Sequence, residues 1–254
     1  MTRPYSAEAS KGKDERWLLD EKYGGHETAE YEEDKKRLAQ GEPVAYVIGW
    51  QSFLGLKIYL DSKPLIPRPE TEWWTEQLLT HVGRGTSYMR FLDLCAGSGA
   101  IGCAALARLP NAHVYFGEID PAHEQTILKN IRENNLDESH AFVHIGDLFV
   151  PFGDMKFNVV AVNPPYIPTD RVLPASVTDY EPALALLAGK DGLDFIRRIA
   201  IELPKYLAKS GVAWIECDHG HAEDARALFE THDFHAEIRT DQYGVPRIVV
   251  VSFP

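Results

Sequence analysis

Cysteine is scarce in this chain. Three occur among 254 residues, Cys95, Cys103 and Cys217, with no Cys-x-x-Cys pair and no histidine–cysteine spacing of a metal site. This excludes a disulfide framework and structural zinc as the basis of the fold. Basic charge is also short, since 26 lysines and arginines against 38 aspartates and glutamates give a formal charge of −12. The densest basic cluster, Lys35-Lys36-Arg37, directly follows Glu32-Glu33-Asp34. Such a balance is a poor footprint for duplex nucleic acid or a membrane surface, which draw on concentrated lysine and arginine. No apolar run approaches the roughly 18 residues of a membrane-spanning helix. The opening MTRPYSAEASKGKDE lacks the apolar core of a signal peptide. These absences predict a soluble protein of a reducing compartment, most simply the cytoplasm. What is present, 44% apolar residues in a chain of this length, can fill the core of one large α/β domain with a small appendage.

Residues 1–14 are polar and predict disorder. Trp17, Leu18 and Leu19 then sit on a short helical pattern over 14–25 that stops at Gly24-Gly25, and a second polar helix follows at about 28–40. Alternating Phe53, Leu56, Ile58 and Leu60 predict a hairpin within 52–67. From residue 88 the rhythm changes. Short apolar strands are expected at 88–94, 113–117, 141–145, 157–162, 211–216, 234–239 and 247–253, with helices at about 100–108, 121–134, 191–207 and 219–231. Strands regularly separated by helices mean βαβ units and a mainly parallel sheet covered on both faces. The expected division is a helical region over 1–47, a hairpin and linker helix over 48–87, and an α/β domain over 88–254.

FLDLCAGSGAIG (91–102) runs from a strand through a glycine-rich turn into a helix. Gly97-x-Gly99-x-x-Gly102 matches the dinucleotide fingerprint, and Glu118 and Asp120 lie where an acid can hold a ribose hydroxyl. A tight βα turn alone would also account for the glycines. Asp93, just ahead of the loop, repels a pyrophosphate and suits a cation, which favours S-adenosylmethionine (SAM) over a nicotinamide dinucleotide. Glu118 then suits the ribose, and Asp147-Leu148 the edge and face of adenine, although each acid could equally be a helix cap. Cys95 has no histidine near it in sequence and reads as a small packing residue, not a nucleophile.

AVNPPYIPTD (161–170) ends an apolar strand on Asn163-Pro164-Pro165-Tyr166. Asn163 is expected just past the carboxyl end of the fourth strand, beside the first, where open α/β sheets bind ligands. The prolines fix the backbone and withhold donors. An asparagine carbonyl and a proline main-chain carbonyl make an acceptor pair for the two N–H bonds of a planar –NH2 group, with Tyr166 as a stacking face. Holding both hydrogens aims the nitrogen lone pair at an incoming methyl group. A rigid loop with a tyrosine packed on prolines is the structural alternative.

Together DLCAGSGAIG, NPPY, GEPVAYVIGWQSFLGLKI (41–58), LIPRPETE (65–72) and YEPALALLAGKDGLDFIRRI (180–199) resemble the PrmC/HemK protein-glutamine methyltransferases over roughly residues 41–254. The resemblance implies a class I SAM-dependent methyltransferase fold. That fold is Rossmann-like, a seven-stranded mainly parallel sheet with the last strand antiparallel, preceded by a small helical region and a hairpin. It implies methyl transfer to the N5 amide nitrogen of the glutamine in the GGQ motif of class-1 release factors, with S-adenosyl-L-homocysteine as product and no metal. It implies a cofactor site built by Asp93, Cys95, Ala96, Gly97, Ser98, Gly99, Glu118, Asp147, Leu148 and Asn163, with Pro67 and Arg68 helping to close it. Asn163, Pro164, Pro165 and Tyr166 would hold the substrate glutamine. Direct nucleic-acid binding is not expected. The chain departs from the family pattern at Cys95, where many members have glycine, at Glu118, where aspartate is commoner, and at Leu148, where an aromatic can occur; its helical region is also short. Two other acceptors fit NPPY, a glutamine of a ribosomal protein and the exocyclic amine of adenine in nucleic acid. The −12 charge and the lack of a target-recognition domain weigh against the second.

Overall fold

The computed structural model describes residues 7–83 and 88–254. The α/β part is organised by strands β3 (Met89–Leu94), β4 (Ala112–Glu118), β5 (Ala141–Ile145), β6 (Phe157–Val162), β7 (Leu207–Glu216), β8 (His235–Thr240) and β9 (Pro246–Ser252). They form one seven-stranded sheet in the order β5-β4-β3-β6-β7-β9-β8. The pairs from β5 to β7 are parallel, and β9 enters antiparallel to both β7 and β8. The seven strands and the antiparallel last one are as the sequence predicts.

Period-two alternation sends neighbouring side chains of each strand into different cores. On one face Phe91, Phe116 and Val159 pack with Trp74 and Leu78 of α4 (Pro69–Val82), Ile101 of α5 (Ala100–Arg108), and Ile127 and Ile131 of α6 (Glu124–Glu133). On the other, Leu92, Leu94, Val160 and Val162 meet Ile196, Ile199 and Leu203 of α8 (Asp194–Tyr206) and Phe229 of α9 (Ala222–Glu230). Short helix α7 (Ala175–Thr178) lies in the segment between β6 and α8. The strand order reverses between β3 and β6, so their carboxyl ends border the crevice in which such sheets bind ligands.

Ahead of the sheet, α1 (Ala7–Tyr23), α2 (Ala29–Ala39) and α3 (Val44–Ile48) bury Leu18, Tyr31, Val47 and Ile48 against one another. The expected disorder over 1–14 fails at residues 7–14, which continue α1; residues 1–6 lie outside the described residues. Once Leu18 is anchored, each added turn costs little, because helix growth is easier than its nucleation. Asp34, nearly buried, gathers this unit by accepting from Lys22 Nζ at 2.6 Å, Tyr23 Oη at 2.7 Å and Arg37 Nη1 at 2.8 Å.

The hairpin is shorter than the predicted 52–67. Strands β1 (Trp50–Phe53) and β2 (Leu56–Tyr59) turn at Leu54-Gly55, both at positive φ, as a two-residue hairpin turn requires. Residues 60–68 run on as an unpaired strap containing Pro64 and Pro67, which cannot donate to a ladder. Asn130 of α6 and Asn134, which caps that helix, satisfy the free edge of β2. Asn130 bonds Tyr59 N at 2.7 Å and Tyr59 O at 3.1 Å, and Asn134 bonds Lys57 N and O, both at 2.9 Å. Asn130 Nδ2 also donates to Ser98 O at 2.9 Å, so the hairpin is registered on the glycine loop.

Candidate active site

A cleft opens at the carboxyl ends of β3, β4 and β6. Cys95, Gly97, Glu118, Asp147, Leu148, Asn163 and Pro165 line it, so the glycine loop and NPPY, some 65 residues apart, face one space.

The loop's shape follows from its residues. Gly99 caps α5 at φ 77°, a conformation that side chains rarely adopt. At Gly102 an added Cβ would fall 2.2 Å from Phe116 Cε1, so glycine is needed for α5 to approach β4. Glu118, buried at the end of β4, accepts from Gly97 N at 2.7 Å through Oε2 and from Asp120 N at 2.9 Å through Oε1. It therefore fixes the loop and the following turn while its remaining lone pairs face the cleft. Cys95 takes φ 61°. Burial, then the nearby Glu118 and Asp93 carboxylates, push its thiol up beyond the ordinary range, so it is a protonated packing group.

Asp93 is placed differently from the expectation. It alternates onto the same sheet face as Phe91 and does not line the cleft; its Oδ2 accepts from Gly102 N at 2.8 Å. Burial drives its carboxyl well above the usual range. Through this bond Asp93 supports the loop from beneath. Asp147 does line the cleft, but its Oδ2 accepts from Arg198 Nη2 at 2.6 Å. Leu148 turns into the cleft at φ 45°. Ala96, Ser98 and Gly99 form the loop without lining the cleft.

The strap supplies a wall through Leu65, whereas Pro67 and Arg68 do not line the cleft. Arg68 Nη2 pairs with Glu181 Oε1 at 2.5 Å, and Glu181 Oε2 accepts from Ile66 N at 3.0 Å. One buried carboxylate thus ties the strap to the segment beyond NPPY. That segment adds Pro182, Leu184 and Ala185 to the rim, and α8 adds Phe195. Sequence reasoning missed these as lining residues. The YEPALALLAGKDGLDFIRRI block marks the segment, but which of its apolar residues turn inward depends on the 3₁₀ turn at Ala183–Ala185.

Asn163 sits one residue past β6 and donates through Nδ2 to Thr71 Oγ1 at 3.2 Å. Thr71, in the first turn of α4, donates to Glu216 Oε2 at 2.7 Å. Glu216, 1% exposed at the end of β7, also accepts from Trp74 Nε1 at 2.7 Å and Tyr166 Oη at 2.9 Å. Burial raises the Glu216 carboxyl despite these donors, and burial with the Glu216 charge raises the Tyr166 phenol. Pro165 lines the cleft, whereas Pro164 and Tyr166 flank it without lining it.

The residues suit SAM. The glycine loop brings bare backbone to the space, Glu118 offers hydroxyl acceptors, and Leu148 with Phe195 offers apolar faces for a flat ring. Among the described residues no group of three His, Cys, Asp or Glu side chains is placed to hold a metal ion, and no helix is long and apolar enough to cross a membrane.

Comparison with known proteins bears on the same region. A family model described as "Conserved hypothetical protein 95" matches residues 57–219. A release factor glutamine methyltransferase of Bacillus anthracis is 36% identical over 218 residues, which is 83% of this chain and 76% of the relative. One of Thermodesulfovibrio yellowstonii is 33% identical over 221 residues, 85% of this chain and 78% of the relative. The solved structure of a methyltransferase from Pyrococcus furiosus superposes with a TM-score of 0.59 at 16% identity, covering 86% of this chain and 96% of that one. That likeness shows a shared methyltransferase fold.

Proposed function

Because this chain belongs to the release factor glutamine methyltransferases, we propose that it transfers a methyl group from SAM to the side-chain amide nitrogen of the GGQ glutamine in a class-1 release factor. The observation that carries the reading is the meeting of Asn163 and Pro165 with Gly97 and Glu118 in one cleft, at the adjacent ends of β6, β3 and β4. Gly97, Glu118 and Leu148 hold the cofactor in this reading, and Cys95 packs beside it. SAM, when bound, supplies a methyl group on a positively charged sulfur.

The chain's own part is orientation. An amide nitrogen is a weak nucleophile because its lone pair is delocalised. Asn163 Oδ1 and the Pro164 carbonyl accept its two N–H bonds, and Tyr166 and Pro165 limit its plane. Acceptors at those hydrogens also stabilise positive charge arising on the nitrogen as the new bond forms. With the hydrogens so held, proton loss can follow transfer and needs no strong base. The same reading places the reaction in the cytoplasm, where release factors act.

The test is transfer from methyl-labelled SAM to a recombinant release factor and to its GGQ glutamine-to-alanine variant, with label mapped by peptide mass. Label on the GGQ peptide, absent from the variant, is the expected result. Label elsewhere, or none while SAM binds, would overturn the acceptor assignment. Asn163→Ala should bind SAM normally and lose turnover by about 100-fold or more, the scale of a removed transition-state contact.

A further inference from the structure

Asn163 serves as an acceptor only if its amide faces the cleft oxygen first. Rotated by 180°, it would present –NH2 instead. The two settings have nearly the same shape, so packing does not choose between them, whereas hydrogen-bond direction does.

The direction is set three residues deep. Trp74 Nε1 and Thr71 Oγ1 both lie 2.7 Å from Glu216 Oε2, and Tyr166 Oη lies 2.9 Å from Oε1. An indole N–H can only donate and an ionised carboxylate can only accept. The one hydroxyl proton of Thr71 therefore goes to Glu216, which leaves Thr71 an acceptor on its other side. Asn163 approaches on that side at 3.2 Å and must meet it with Nδ2. Thr71 and Glu216 are 3% and 1% exposed, so water does not readily compete for these bonds.

We propose that Thr71 and Glu216 are positioning residues that lock the Asn163 amide with Oδ1 toward the cleft, selecting an acceptor that carries an –NH2 group and rejecting one that carries a carboxylate. This rests on the reading that Asn163 holds the acceptor. It makes Thr71, which does not line the cleft, a determinant of amide over acid.

The experiment compares wild type with Thr71→Ser and Thr71→Val. It reads SAM affinity, transfer to the release factor, and competition by release factors bearing glutamine or glutamate at the GGQ position. Thr71→Val keeps the volume and removes the hydroxyl. It should leave SAM affinity within about threefold, slow transfer about 10- to 100-fold, and narrow the glutamine-over-glutamate preference by a similar factor. Thr71→Ser should restore both within about threefold. Wild-type preference in Thr71→Val, or equal losses in the serine and valine variants, would overturn the proposal.

Glu216 is tested with Trp74. In Glu216→Gln the donor-only indole still calls for an oxygen at its own position, so direction and preference should persist. Trp74→Phe alone keeps the carboxylate and should persist too. The double variant frees the glutamine amide to turn, and its preference should fall further than the sum of the single effects. An additive double variant would overturn the assignment to Glu216. Hydrogen exchange of the Asn163 side-chain amide, followed by NMR, needs no substrate: it should be slow in wild type and Thr71→Ser and at least tenfold faster in Thr71→Val. If wild type does not modify a release factor, that failure falls on the acceptor identity, and the exchange rates still decide the lock.

Discussion

At the scale of single residues, the cleft is made from groups whose first duty is to the chain itself. Glu118 already accepts from Gly97 N and Asp120 N, so Glu118→Ala would remove the proposed cofactor contact and also leave two backbone donors to find new partners. SAM affinity should fall about 10- to 100-fold, read by calorimetry, with the larger loss in binding and the smaller in the rate of bound enzyme. Cys95 bears the opposite relation to its site. Its left-handed backbone costs on the order of 1 kcal/mol that glycine would not incur. Cys95→Gly should therefore fold with stability within about 1 kcal/mol of wild type, glycine's greater unfolded freedom offsetting the relief. Turnover should be unchanged; a large loss of turnover would show that the thiol does more than pack. The place of Cys95, Gly97 and Glu118 on one cleft was legible because glycine spacing and strand ends locate them. Asp93 was legible as to position, whereas its bond to Gly102 N was not. Phe91-Leu92-Asp93-Leu94 alternates, and that period already places Asp93 on the α5 side with Phe91.

At the scale of elements, the pieces most easily read are those with a regular period. The strands at 141–145 and 157–162 and the helix at 100–108 fall where their patterns end. The strap over residues 60–68 has no period, and its anchoring depends on Glu181, more than 110 residues later. No local signal pairs the two, and Thr71 with Glu216 is hidden in the same way. Glu181→Gln tests what the strap does. The variant keeps an acceptor for Ile66 N but loses the charge that holds Arg68. Stability should fall by roughly 1–2 kcal/mol, since a buried charge-assisted bond is weakened. Because Leu65 walls the cleft, SAM should also dissociate several-fold faster, measured by stopped-flow fluorescence. An unchanged dissociation rate would show that the wall holds without its tether.

At the scale of the whole molecule, several of the described carboxylates fall into two sets with opposite pH behaviour. Burial alone would raise Asp34 and Asp218, but Asp34's donors Lys22, Tyr23 and Arg37 and Asp218's partner Arg171 hold them below the usual carboxylate range. Arg37, ahead of the burial effect, holds Glu42 low as well. The stability these groups contribute is present above their unfolded pKa, about 4, and is lost as pH falls through the lower folded values. Glu216 belongs to the other set, because burial holds it above the usual range. Its contribution is complete below the unfolded value and declines as pH rises through the raised folded one. Acidification from neutrality therefore protonates Glu216 before the low set unfolds the chain. The groups facing Glu216 are Thr71, Trp74 and Tyr166, with the Arg247 charge nearby, and all but Arg247 are neutral at that pH. Trp74 Nε1 and Thr71 Oγ1 both donate to Glu216 Oε2, and the indole can only donate, so the added proton settles on Oε1 toward Tyr166 and the lock holds. Turnover should therefore hold through the Glu216 titration in wild type. In Trp74→Phe, whose Glu216 Oε2 is free to carry the proton and donate to Thr71, it should fall on an acid limb centred above the ordinary carboxylate range, with circular dichroism and SAM binding at their neutral values. Adding Glu216→Gln to Trp74→Phe leaves no proton to gain there, and that limb should disappear. A limb that survives the substitution would assign the titration to another group and leave the lock independent of pH.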